Sequence, residues 1–162
     1  MSGVYTIKNL TELEGFAKHV VSVLRVQSSL GQANLLALSG DLGSGKTTFV
    51  QALARALGVV EIVQSPTFAI LKMYNTTDSR FKQLFHMDAY RIDDLNELGP
   101  LRFAELLATP NTLFCIEWAE KIKDALPPGI VTIHLTIEEG ETRIATMQSQ
   151  GLSVLPEAVE PV

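Results

Sequence analysis

Eight consecutive residues, Gly40-Asp41-Leu42-Gly43-Ser44-Gly45-Lys46-Thr47, carry the spacing G-x-x-x-x-G-K-[ST]. No other feature constrains the fold of this chain as strongly, because each fixed position has a physical task. Glycines let backbone N–H groups converge on a di- or triphosphate without a Cβ in the way. Lys46, on what reads as a solvent-facing loop, brings a point positive charge to the outer phosphates. The Thr47 hydroxyl is a ligand type suited to Mg²⁺. Asp41, Leu42, Ser44 and Thr48 complete the loop, and a helix starting behind it points its positive dipole end at the same anion.

The flanking sequence supplies the strand and helix that such a loop needs. Leu35-Leu36-Ala37-Leu38-Ser39 is an apolar run of buried-strand type. Thr48 to Leu57 places Phe49, Leu53 and Leu57 at helical spacing, with Gly58 where a C-terminal cap belongs.

The rest of the chain alternates strands and helices. Val4 to Ile7 reads as a short edge strand. Thr11-Glu12-Leu13-Glu14 reads as a capping box opening a helix whose apolar face is Leu13, Phe16, Ala17, Val20, Val21 and Leu24. Residues 27–34 form a polar linker. Gln64-Ser65-Pro66-Thr67-Phe68 is a loop, and Ala69 to Tyr74 and Gln83 to Tyr90 read as a hairpin. Asp93 to Leu107 reads as a helix interrupted by Gly99-Pro100, and Leu113 to Glu117 as a buried strand. Glu120 to Ala125 is a short charged segment stopped by Pro127-Pro128-Gly129. Ile130 to Ile137 and Thr142 to Met147 form a second hairpin. These readings give one α/β domain over residues 1–147, a P-loop-type three-layer fold with a mixed β-sheet. Residues 148–162 follow as a flexible tail or a docking peptide.

Hydrophobic residues make up 46% of the 162 residues, enough for a single packed core. A net charge of −5 argues against broad, independent nucleic-acid binding, which relies on clustered Lys and Arg. It leaves open action on nucleic acid through a partner. The single Cys115 excludes an internal disulfide, and neither a secretion signal nor a long apolar span is visible. A cytoplasmic protein with no membrane association is expected.

A phosphate loop needs acids at the end of a neighbouring strand to hold Mg²⁺. Glu117 ends the run Leu113-Phe114-Cys115-Ile116 in the form of a Walker B strand, with Glu in place of Asp, and Asp88 ends Leu84-Phe85-His86-Met87. Either acid also stands where it would position an attacking water. Asp41 is open to a hydrogen-bonding role within the loop or to a catalytic one. His86 shares a strand face with Asp88 and reads as structural. Arg91 is a phosphate or partner contact or an ordinary exposed arginine. Trp118 reads as core or as a ring stacked on a base. No N-K-x-D or D-x-x-G motif is present, which disfavours a Ras-like GTPase. Arg25, Arg55, Arg80, Arg91, Arg102 and Arg143 do not cluster into the lid of a small-molecule kinase, the rival class. A third reading is a nucleotide-dependent scaffold.

Four segments taken together resemble one family: the loop Gly40 to Thr48, Ser65-Pro66-Thr67-Phe68, His86-Met87-Asp88-Ala89-Tyr90-Arg91 and Ile116-Glu117-Trp118-Ala119-Glu120. In order and spacing these are similar to the bacterial P-loop ATPases of tRNA threonylcarbamoyladenosine biosynthesis, the TsaE (YjeE) family. The resemblance implies ATP and Mg²⁺, with hydrolysis that is weak alone and stimulated by partners. Those partners are the TsaB- and TsaD-type proteins, which modify adenosine at position 37 of tRNA, so that tRNA is met only through them. It further implies that Lys46 contacts phosphates, that Thr47 and Glu117 serve Mg²⁺, and that Asp88 is a second metal or water-positioning acid. Lys46, Asp88 and Glu117 are then the catalytic residues. Trp118 lies against adenine, and Ser65, Pro66, Thr67 and Phe68 form a switch-like loop.

Overall fold

The computed structural model describes residues 2–27, 31–66 and 68–149. Along the chain run β1 (Ser2–Ile7), α1 (Leu10–Val26), β2 (Asn34–Ser39), α2 (Lys46–Ala56), β3 (Leu71–Asn75), β4 (Gln83–Asp88), α3 (Phe103–Leu107), β5 (Thr112–Glu117), β6 (Val131–Ile137) and β7 (Arg143–Ser149). Short 3₁₀ turns occupy Leu95–Leu98 and Ala119–Ala125.

The apolar runs of β2, β4 and β5 are the parallel centre of a seven-stranded sheet ordered β1-β7-β6-β2-β5-β4-β3. β2 pairs in parallel with β5 and β6, and β4 with β5. The alternating hairpins supply the antiparallel margins, β3 against β4, β6 against β7, and β1 against β7. Such mixed sheets place continuous apolar strands inside and alternating ones outside. Alternation along β2 then separates two cores. Leu36 and Leu38 face α1 and α2, where Phe16, Val20, Leu24, Phe49 and Leu53 cover them. Leu35 and Ala37 face the opposite layer, built from Phe103, Ile122, Phe85 and Phe114. The fold is therefore the expected α/β three-layer arrangement with a mixed sheet.

Several boundaries differ from the sequence expectation. The cap of α1 is Asn9, not Thr11: extended Asn9 (φ −157°) accepts the Glu12 N–H at 2.9 Å, and Glu12 accepts the Lys8 N–H at 2.7 Å. Glu14, expected to close the box, instead faces Arg55 of α2 at 3.3 Å. The helix expected over 93–107 is two short pieces. Pro100 offers no N–H, and Asp94 and Glu97 already form a capping box for the first piece. β3 begins at Leu71 because Ile70 adopts a left-handed backbone (φ 63°), and β4 ends at Asp88 where the Ala89 N–H turns to the Glu117 carbonyl at 3.0 Å. α2 starts at Lys46, inside the glycine loop, and ends before Gly58 (φ 75°) as expected. β7 extends through Ser149, two residues past the expected domain edge; residues 150–162 of the tail lie outside the described residues.

Candidate functional site

The glycine loop joins the C-terminal end of β2 to the N-terminus of α2, and its conformation depends on residue type. Gly40 (φ 133°) lies so close to β6 that a Cβ would collide with the Leu135 carbonyl oxygen. Gly43 (φ 79°) and Gly45 (φ 100°) also hold left-handed backbone, and a Cβ on either would meet open space. That is the form of an anion cradle whose concave side is left clear.

Lys46 is the first residue of α2, and only 5% of it is exposed, in contrast to the open loop position expected from sequence. Its ammonium donates to the Gly40 and Asp41 carbonyls at 2.6 and 2.9 Å and lies 3.8 Å from the centre of the Trp118 ring. Burial pulls its pKa below the ordinary lysine value, and the carboxylates of Glu117, Glu120, Asp88 and Asp41 pull the other way. The loop thus folds its own cation against itself, with four acids nearby.

Thr47, one residue further, turns toward β5. Its hydroxyl lies 2.9 and 3.0 Å from the two carboxylate oxygens of Glu117, to which it donates. Glu117 is 2% exposed. Beneath it, His86 Nε2 approaches Oε1 at 2.7 Å. Asp88 is the direct ladder neighbour of Glu117, because β4 and β5 run in parallel register with Asp88 opposite Glu117. One Asp88 oxygen accepts the Tyr90 N–H at 2.9 Å. The structure therefore brings Lys46, Thr47, Glu117 and Asp88 to one strand-end cleft of about 430 Å³. Leu42, Gly43, Gly45, Thr48, Ser65, Tyr90 and Trp118 also line it.

Trp118 follows Glu117 in a left-handed backbone (φ 56°), which turns the ring back over Lys46. Its centroid is 5.0 Å from that of Tyr90. Of the switch-like loop, Ser65 lines the cleft and the Pro66 carbonyl accepts the Ile70 N–H at 2.6 Å. Phe68 is 90% exposed and faces the Arg91 guanidinium at 5.0 Å. Thr67 lies outside the described residues. Gln51 of α2 donates to the Val63 carbonyl at 3.0 Å, tying this loop to the helix behind the phosphate loop.

The donor set suits a small hard cation. A threonine hydroxyl and two carboxylates are oxygen ligands, and Mg²⁺ characteristically takes one or two carboxylates and completes its shell with phosphates and water. Among the described residues no group of three or more His, Cys, Asp or Glu is set to hold a metal unaided. The buried side-chain polar atoms left without a partner among those residues are Ser44 Oγ and His86 Nδ1, one in the loop and one beneath Glu117.

A second cleft of about 200 Å³ opens on the other side of the loop. Asn9, Leu10, Glu141 and Arg143 line it with Gly43, Ser44, Gly45 and Thr48. Sequence reasoning gave no role to Asn9, Leu10 or Arg143, which come together only because β1, α1 and β7 meet beside the loop. It also read past Tyr90 and Glu120. Both lie in the motifs His-x-Asp-x-Tyr-Arg and Glu-Trp-x-Glu, and that was the one available signal.

Loop, helix and strand-end acid together define a P-loop-type fold, the class of nucleotide-binding proteins. A crystal structure titled Bacillus subtilus YdiB superimposes with a TM-score of 0.70 at 28% identity, covering 93% of this chain and 87% of that one. The family model described as "Threonylcarbamoyl adenosine biosynthesis protein TsaE" matches residues 7–145. The tRNA threonylcarbamoyladenosine biosynthesis protein TsaE of Bacillus subtilis (strain 168) is 43% identical over 118 residues, 73% of this chain and 71% of that protein. The protein of the same description from Rickettsia typhi is 30% identical over 148 residues, 91% and 95% of the two chains. The chain belongs to the TsaE family.

Proposed function

We propose that this chain is a Mg²⁺-dependent ATPase of the cytoplasm, slow alone and stimulated by TsaB- and TsaD-type partners, that supports formation of threonylcarbamoyladenosine at position 37 of tRNA. Its family membership supports the pathway. The observation that carries the chemistry is the pairing of Thr47 with Glu117 at the mouth of the glycine loop, with Asp88 in the adjacent ladder position.

In this reading Thr47, Glu117 and Asp88 hold Mg²⁺, which when bound neutralises charge on the phosphates. Lys46 exchanges the Gly40 and Asp41 carbonyls for phosphate oxygens, a stronger, charge-assisted pairing. The loop N–H groups and the N-terminus of α2 complete the cradle. The two clefts share Gly43, Gly45 and Thr48, so a nucleotide laid across the loop reaches both. The phosphate end occupies the acid-lined cleft and the base the cleft of Asn9, Leu10 and Arg143. Trp118, whose ring covers Lys46, then meets the phosphate end in place of the adenine suggested by resemblance. Ser65 on the cleft wall suits the 65–68 loop to sense what the cleft holds, and hydrolysis resets the transferase partners between cycles.

The test is ATP hydrolysis by the purified chain with Mg²⁺, alone and with TsaB- and TsaD-type proteins. Slow turnover that rises when both partners are present is the expected result. Partner-independent turnover that rises only with an added metabolite would overturn the reading in favour of a small-molecule kinase.

A further inference from the structure

The acid closing β5 is a glutamate, one rotatable bond longer than the aspartate of most P-loop metal sites. The extra bond is freedom that must be removed before the carboxylate can serve a ligand. In this protein His86 removes it. The imidazole on β4 and the carboxylate on β5 are sealed from solvent, with side-chain exposures of 0% and 3%, and Nε2 stands 2.7 Å from Oε1. Since the carboxylate accepts, Nε2 carries the proton and donates. Thr47 Oγ1 is near both oxygens, but its one proton can go to a single acceptor. Whichever oxygen takes it, the Thr47 lone pairs stay free for another ligand.

The other ring nitrogen makes the arrangement costly. His86 Nδ1 is buried with no hydrogen-bond partner, and its ladder neighbour is Cys115, a buried thiol whose pKa burial and then Glu117 push well above the ordinary range. A fully buried polar atom left unpaired is rare in folded proteins and destabilising. An apolar side chain of similar size would remove that unpaired atom, but it would also take the Nε2 donor away from the buried Glu117 carboxylate. We infer that His86 is a positioning residue: it holds Glu117 against Thr47 so that the two present one preformed site to a divalent cation. The inference rests on the Mg²⁺-nucleotide reading above.

The experiment measures ATP affinity calorimetrically with Mg²⁺ and with a chelator, and takes their ratio as the metal-dependent tightening. Wild-type protein, His86→Leu and His86→Gln are compared, and apo melting temperatures are recorded alongside. A wild-type chain that shows no tightening defeats the ATP reading itself, before any variant is considered. Given wild-type tightening, the ratio of a folded His86→Leu is expected to fall at least tenfold, whatever the change in melting temperature that follows from taking a donor off the buried carboxylate. Its affinity in chelator should not change. His86→Gln, which keeps an N–H donor, should recover most of the ratio. An undiminished ratio in a folded His86→Leu overturns the inference. Should His86→Leu not fold, His86→Asn, whose shorter amide falls short of Glu117, decides: a lowered ratio supports positioning and an unchanged one overturns it.

Discussion

Lys46 is a cation that its own loop satisfies. Its ammonium is shared between two loop carbonyls and an indole face, so its direct partners are neutral groups, and in the ATPase reading phosphate oxygens would replace the carbonyls. Lys46→Met keeps the stem and removes the charge, and should weaken ATP binding by about 1.5–3 kcal/mol, read by titration calorimetry. Trp118 is the one tryptophan of the chain, so its emission reports this exchange without interference. Emission should change on adding Mg²⁺ and ATP in the wild type and much less in Lys46→Met. Glu117→Ala should still bind ATP in chelator but lose metal-dependent tightening, with hydrolysis falling by ~10²-fold or more, measured by phosphate release. That Lys46, Thr47, Glu117 and Asp88 gather at one cleft was legible in the sequence, the first two from the loop motif and the two acids from the apolar runs they end. The burial of Lys46 and the hold of His86 on Glu117 were not. Both depend on the parallel register of β4 and β5 and on the left-handed turn at Trp118, which no residue pattern encodes.

At the scale of elements, the chain ties α1 to the β3–β4 hairpin through one buried acid. Asp78 Oδ1 accepts the N–H groups of Arg80 and Phe81 at 2.9 and 3.0 Å, Arg25 pairs with its other oxygen, and Arg80 donates to the Arg25 and Gln27 carbonyls at the end of α1. Burial pushes the Asp78 carboxyl up, but these hydrogen bonds outweigh it and hold the pKa below the ordinary value. A carboxyl depressed in the fold adds stability above its unfolded pKa of about 3.9, and that stability is lost as pH falls through the folded value. Asp78→Ala should therefore cost about 2–4 kcal/mol near neutral pH, measured by denaturant unfolding. The deficit should shrink in acid below pH ~3.9. Strand and helix identities were legible from periodicity, and turns such as Gly58 from residue type. Boundaries shifted where a side chain chose a nearer backbone partner, as Asn9 did over Thr11. The split of residues 93–107 followed from Pro100, whose effect the sequence shows while leaving open which fragments remain helical.

On the scale of the whole molecule, a net charge of −5 sits on a fold whose named cation at the cleft is occupied by its own loop. Among the described residues no helix is long and apolar enough to cross a membrane. Nucleotide binding should stabilise the fold as any ligand selective for the folded state does, by about 2.7 kcal/mol at a hundredfold excess over Kd, read as a rise in melting temperature. The gain should be larger with Mg²⁺ than with chelator. The topology has one more consequence, for how the chain is made. Of the strands of this sheet β1 is the first to leave the ribosome, yet its ladder partner is β7, with Ser2 opposite Gln148 and Ile7 opposite Arg143. The sheet margin holding β1 therefore cannot close until the end of β7 has emerged, so stalled nascent chains ending before β7 should leave residues 2–7 open to protease. Chains long enough to expose Ser149 should protect them, which makes the completion of this domain nearly simultaneous with the completion of its synthesis.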